Sequence, residues 1–130
     1  MKKILILLLL MVSTNVFAEW TRVGGNAVFG MTTYVDFGTF KKKGNKVKIW
    51  YLLDFKKVQT YEKIKFLSKL TRNEYDCEEE TRRTLDIHLY SGNMEQGVVV
   101  FSSTNIKLEA ESIIPGSISE GLLKIACSNK

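Results

Sequence analysis

The sequence predicts a mainly β fold of the α+β class: an antiparallel sheet of about six strands with one C-terminal α-helix, tethered to the sheet by a disulfide. Three observations lead there. Apolar and polar residues alternate at period two along most of the chain, between clusters of turn residues. The period becomes helical only near the end, behind a capping sequence. Two cysteines, Cys77 and Cys127, stand at the end of a strand-like run and at the end of that helix.

The first residues place this fold outside the cytoplasm. Lys2 and Lys3 form a positive start, Ile4 to Val12 is unbroken apolar sequence, and Val16-Phe17-Ala18 offers small residues at −3 and −1 of a cleavage site. This is the pattern of a secretory signal peptide over residues 1–18, and its apolar run is too short for a stable membrane span. The expected mature chain is residues 19–130, a single domain without a transmembrane segment. No Cys follows the cleavage site, which argues against a bacterial lipid anchor. In an oxidising compartment an isolated cysteine pair forms a disulfide, here Cys77 with Cys127. Two free reactive thiols would need a thiolate-stabilising environment that the sequence does not show.

The elements follow in order. Trp20 to Val23 reads as a first strand, ended by Gly24-Gly25-Asn26, and Ala27 to Phe37 as a second with Phe29, Met31, Thr33 and Val35 on one face. Gly38 to Asn45 is a basic turn. The third strand, Lys46 to Phe55, puts Val47, Ile49, Tyr51, Leu53 and Phe55 on one face and Lys46, Lys48, Trp50, Leu52 and Asp54 on the other. Lys56 to Thr60 turns the chain. Tyr61 to Cys77 continues with Ile64, Phe66 and Leu70 inward and Lys63, Lys65 and Lys69 outward. Parity then fails, since Tyr75 and Cys77 fall on the lysine side. Either a β-bulge near Arg72–Glu74 resets the face or the second face is also covered, and the bulge is the favoured reading. Arg82 to Tyr90 and Val98 to Ser103 are the last strands, joined by the loop 91–97. Ser117-Ile118-Ser119-Glu120 is a capping box, after which Ile118, Leu122, Ile125 and Ala126 line one helical face, and Leu123 and Cys127 are also four apart.

Charge is unevenly spread. Residues 41–72 carry eleven Lys/Arg against Asp54 and Glu62, whereas residues 73–130 carry five against ten acids. A basic half attracts acidic partners such as sulfated glycans or anionic protein patches, and its plain alternative is a solvated face that maintains solubility. The candidate binding surface is Lys46, Lys48, Trp50, Lys63, Lys65 and Lys69, with Trp50 supplying apolar area among cations; the alternative is that the helix or a dimer partner covers Trp50. The remaining candidates read as ordinary surface. His88 is the only histidine and stands on the polar side of its strand. Asp76, Glu78, Glu79 and Glu80 lack the alternating ligands and Gly of a calcium loop. The pattern implies no enzyme, cofactor, metal site or nucleic-acid partner.

The segments "EWTRVG" at 19–24, "YVDFGTF" at 34–40, "NKVKIWYLLDFKK" at 45–57, "EYDC" at 74–77 and "IIPGSISEGLLKIAC" at 113–127 together resemble the surface-adhesin protein E family, in order and spacing over nearly the whole mature chain. The resemblance implies the same sheet, with a C-terminal helix held through Cys77 and Cys127. It also implies a bacterial exported binding protein, since the family takes its name from a surface adhesin for host matrix proteins such as vitronectin and laminin. Without a lipidation Cys, the periplasm, the cell surface and the medium all remain open. The alternative function is a periplasmic accessory or inhibitor protein that binds a bacterial envelope partner. The oligomeric state, a dimer included, is not set by the sequence.

Overall fold

Period-two patterning builds the strands where the sequence places them, with corrections at their ends. The computed structural model describes residues 19–128, so the expected signal peptide lies outside the described residues. The strands are β1 (Thr21–Asn26), β2 (Met31–Val35), β3 (Lys41–Lys43), β4 (Lys46–Tyr61), β5 (Ile64–Asp76), β6 (Thr81–Tyr90), β7 (Val99–Ser103) and β8 (Glu111–Ser112), followed by helix α1 (Ile118–Ser128). The main path of the sheet runs β1-β2-β4-β5-β6-β7 and every pairing is antiparallel. These six are the expected strands. Two short ones add to them: β3 pairs with β4 beyond the end of β2, and β8 pairs with β6 beyond the end of β7.

The first strand does not end at Gly24-Gly25-Asn26 but runs through them, paired with β2 across an irregularity between Arg22 and Gly24, and three further local expectations are corrected. Residues 27–30 are a turn and not strand, because the Asn26 side chain accepts hydrogen bonds from the amides of Val28 and Phe29 (3.0 and 3.4 Å) and Gly30 takes φ +59°. Phe29 is consequently 70% exposed. The expected turn at Lys56 to Thr60 is strand; β4 continues to Tyr61 across an irregularity between Asp54 and Gln59, and the chain reverses at Glu62 and Lys63, at φ 45° and 69°. The basic turn at 38–45 is a short 3-10 helix, Phe37–Thr39, followed by β3. Asp36 caps that helix, its carboxylate accepting the Gly38 amide at 3.0 Å.

The parity problem has a clear resolution. From Lys46↔Asp76 to Asp54↔Ser68 the β4–β5 ladder is unbroken, so no bulge resets the face of β5. The bulge in this region belongs to β6, opposite Arg72 and Asn73. Both faces of the sheet are covered, at different ends. On one face Val35, Val47, Ile49, Tyr51 and Tyr75 pack under Leu122, Leu123 and Ala126 of α1. On the other, Leu52 is fully buried and Ser68 lies beneath the loop 91–97.

Helix α1 begins at the expected cap, with the Ser117 hydroxyl accepting the Glu120 amide at 3.3 Å. The reciprocal half of the box is replaced by a Glu120–Lys124 contact at 3.6 Å. The helix buries Leu122, Leu123 and Ala126, while Ile118 is 42% exposed. This rotation brings Leu123 and Cys127 to the sheet, where Cys127 is bonded to Cys77 with 5.7 Å between the Cα atoms. At 11 residues the helix is too short to persist alone in water.

The loop 91–97 clamps the opposite face. Asp54 accepts the Met94 amide at 2.8 Å, and Ser68 accepts the Glu95 amide at 3.1 Å while donating to the Gly92 carbonyl at 2.7 Å. Met94 and Glu95 both take left-handed φ values, 52° and 61°. Glu95 is thereby held half-buried near Asp36. Burial, and then the Asp36 carboxylate, push its carboxyl above the ordinary value of 4.5.

Two outcomes are expected. The bridge closes a loop with sequence separation 50, so Cys127→Ser should lower unfolding free energy by up to ~4 kcal/mol in urea titrations; matching midpoints for the variant and the oxidised parent would refute the tether. Because its folded carboxyl is raised, Glu95 costs stability once pH exceeds that raised value, and costs nothing below its unfolded value. Glu95→Gln should therefore melt above the parent at pH 7 and level with it near pH 4. A gain that persists at the acid end would show that charge is not the cause.

Candidate functional site: a lysine ladder beside Trp50

The β3–β4 hairpin sets lysine against lysine. Lys41 pairs with Lys48 and Lys43 with Lys46, across the two-residue turn Gly44-Asn45, where Gly44 takes φ +61°. Side chains directly opposite in a ladder lie about 5 Å apart, and like charges there are destabilising. Acids do stand next in register on β5, Glu74 beside Lys48 and Asp76 beside Lys46. Both are otherwise engaged. Glu74 pairs with Arg83 at 3.0 Å, and Asp76 accepts the amides of Glu78 and Glu79 at 3.0 Å each. Among the described residues, none of the four lysines makes an ion pair. Those same Asp76 contacts account for the acidic run: it is a turn closed by an aspartate.

Trp50 continues this face. It is half-buried, and the Arg72 guanidinium lies 5.5 Å from its ring centroid. Arg72 is itself paired with Asp86, and His88 stacks on Trp50 with centroids 6.0 Å apart. Helix α1 packs on the opposite face, so it does not cover Trp50. Arg72 and His88 lie against it instead. The Ser102 hydroxyl and His88 Nδ1 are 2.7 Å apart, but among the described residues no carboxylate bonds the other ring nitrogen, and Asp86 is held by Arg72. The arrangement offers a half-buried aromatic ring held against the Arg72 guanidinium and the His88 ring, on the same face as Lys46 and Lys48.

The expected surface residues do not form one patch. Lys46, Lys48 and Trp50 share a face. Lys63 sits in the β4–β5 turn and Lys65 pairs with Thr60 in the projecting arm of that hairpin. Lys65 is seven residues along β5 from Arg72, the partner of Trp50, a distance of about 23 Å. Lys69 pairs with Leu53 and Leu89, which puts it on the face opposite Trp50. There burial, and secondarily the Arg82 charge, lower its pKa. Sequence reading missed Lys41, Lys43, Arg72 and His88 as neighbours of the site. The pattern Lys-x-Lys-Gly-Asn-Lys-x-Lys at 41–48 carried the signal for the first two, as a tight hairpin with alternate lysines facing one way.

Comparison with solved structures finds the same fold in protein E of Haemophilus influenzae. Crystal form II of that protein matches with a TM-score of 0.62 at 18% identity, covering 89% of this chain and 92% of that one. Protein E from non-typeable Haemophilus influenzae matches with a TM-score of 0.58 at 17% identity, covering 89% of this chain and 80% of that one. Comparison with curated proteins finds no match. The model of the family described as surface-adhesin protein E matches residues 20–128. With the expected sheet, helix and bridge in place, this chain belongs to the surface-adhesin protein E family.

Proposed function

We propose that this chain is an exported, non-enzymatic binding protein that holds an acidic ligand, a sulfated glycan or an acidic patch on a matrix protein, against Lys41, Lys43, Lys46, Lys48 and Trp50. The unpaired cross-strand lysine ladder carries this reading. Four ammonium groups are kept together at a cost to the fold, while the nearest acids are committed elsewhere. An incoming anion relieves the repulsion, so part of the binding energy is already built into the free protein. The half-buried indole, fixed by Arg72 and His88, adds apolar contact beside the charge. Membership of an adhesin family supports a role in surface contact. The expected export of the chain fits the same role. Lys63 and Lys65 form a separate basic arm in this reading and serve at most as a second contact.

Binding to immobilised heparin and vitronectin at low and high salt tests the assignment. Replacing Lys41, Lys43, Lys46 and Lys48 together by Glu should weaken binding at least tenfold and flatten its salt dependence. The Lys63→Glu/Lys65→Glu pair should stay within threefold of the parent. Melting curves control for folding, since carboxylates at all four positions still repel across the ladder and face Glu74 and Asp76; replacing the same four lysines by Gln removes the charge without that repulsion and should weaken binding as well. Equal losses from both sets would overturn the assignment to the ladder alone and extend the site to the arm. Undiminished binding by the fourfold variant would end the proposal. No binding by the parent, with stoichiometric capture of a bacterial envelope protein, would favour an accessory role in the periplasm.

A further inference from the structure

The face opposite Trp50 is only partly roofed by α1, which packs on β4 and β5. Farther across, β5, β6 and β7 leave an open groove of about 350 Å³, within the range of small-molecule sites. Its walls are Phe66, Ile87, Leu89, Phe101 and Ile106, with Tyr61 of the hairpin arm at the rim and Ser103 beside them. Among the described residues, Lys69 is the only charged one that lines it. The register fixes this cation between two leucines, Leu53 on one side and Leu89 on the other. Among the described residues it makes no ion pair. The charge that acts on it most is Arg82, also positive.

An unneutralised ammonium in an apolar groove is costly, and a bound anion offsets that cost twice, by pairing the charge and by covering the walls. The anion that fits carries one charged end and an otherwise apolar body. We propose that this groove binds a free fatty acid, its carboxylate on Lys69 and its alkyl chain along Phe66, Leu89, Phe101 and Ile106. A flexible chain suits walls contributed by three strands and the segment after β7. The site is independent of the lysine ladder, which lies on the other face.

The test titrates the full mature chain with decanoate by calorimetry, with decanol and with vesicles of anionic phospholipid as separate arms. Decanoate should bind at one site, at least tenfold tighter than decanol. Lys69→Met keeps the length and apolar stem of the side chain, removes the charge, and should cost decanoate affinity at least tenfold while leaving decanol unchanged. Ile106→Trp lies outside the strands, fills the groove, and should weaken both ligands. The proposal fails if Lys69→Met, shown folded by its circular dichroism, binds decanoate like the parent. It fails equally if decanol binds as tightly as decanoate, or if the vesicles bind and free decanoate does not.

Discussion

The unbroken β4–β5 ladder is the constraint from which the rest of the molecule follows. Nine consecutive pairs, from Lys46↔Asp76 to Asp54↔Ser68, run without a bulge. Side chains alternate strictly over that length, so one register decides every facing. It sends Val47, Ile49, Tyr51, Tyr75 and Lys69 to one side, and Lys46, Lys48, Trp50, Leu52 and Arg72 to the other. It also brings Cys77 to the end of β5 on the helix side, within reach of Cys127. A slip of one residue would bury the lysines under α1 and expose the core.

The buried face is not purely apolar, which bears on how its register is fixed. Thr71, Asn73 and Tyr75 occupy successive helix-side positions of β5, opposite Tyr51, Ile49 and Val47. The Asn73 amide donates to the Tyr75 hydroxyl at 3.1 Å. Burial raises the Tyr51 hydroxyl above its usual range and the Tyr75 hydroxyl well above it, so both act as neutral donors and acceptors at physiological pH. Thr71 Oγ1 and Asn73 Oδ1 have no partner among the described residues. Polar groups in such a core reward one arrangement and penalise its neighbours, so they favour a unique register at some expense of stability. The disulfide then supplies what an 11-residue helix and a partly polar core do not, a covalent limit on how far α1 can leave the sheet.

Sequence periodicity exposed most of this and failed where register, not pattern, decides. Strand β4 was legible because Val47 to Phe55 alternate on a half-buried face, and α1 because Ser117 and the following apolar spacing mark a helix start. The turn at Glu62-Lys63 was not legible: left-handed backbone there is occupied by residues that carry no turn signal, in place of Asn-Gly. Lys69 was read as a partner of Trp50 because a lysine is assumed to face solvent. The ladder places it opposite Trp50, in apolar surroundings. The same error joined Lys63 and Lys65 to the Trp50 face, since the length of β4 past Phe55 could not be seen. The pairing of Cys77 with Cys127 was legible because only one pairing exists.

The ladder of lysines has a simpler explanation that covers only half of it. Strand β3 is a short edge strand, and lysines on an edge discourage pairing with another chain. That accounts for Lys41 and Lys43, together with Lys42. It does not account for Lys46 and Lys48, which lie on β4 between two paired neighbours, where no edge needs protection. Nor does solubility require that the four meet in cross-strand pairs, when one polar neutral residue in each pair would remove the repulsion and keep the surface wet. Glu74 and Asp76, one strand away, could have neutralised the inner pair. Instead Arg83 and the 78–79 amides hold them. Edge protection and solubility therefore leave the inner lysines and the diverted acids without an explanation, and it is this remainder on which the proposed binding role rests.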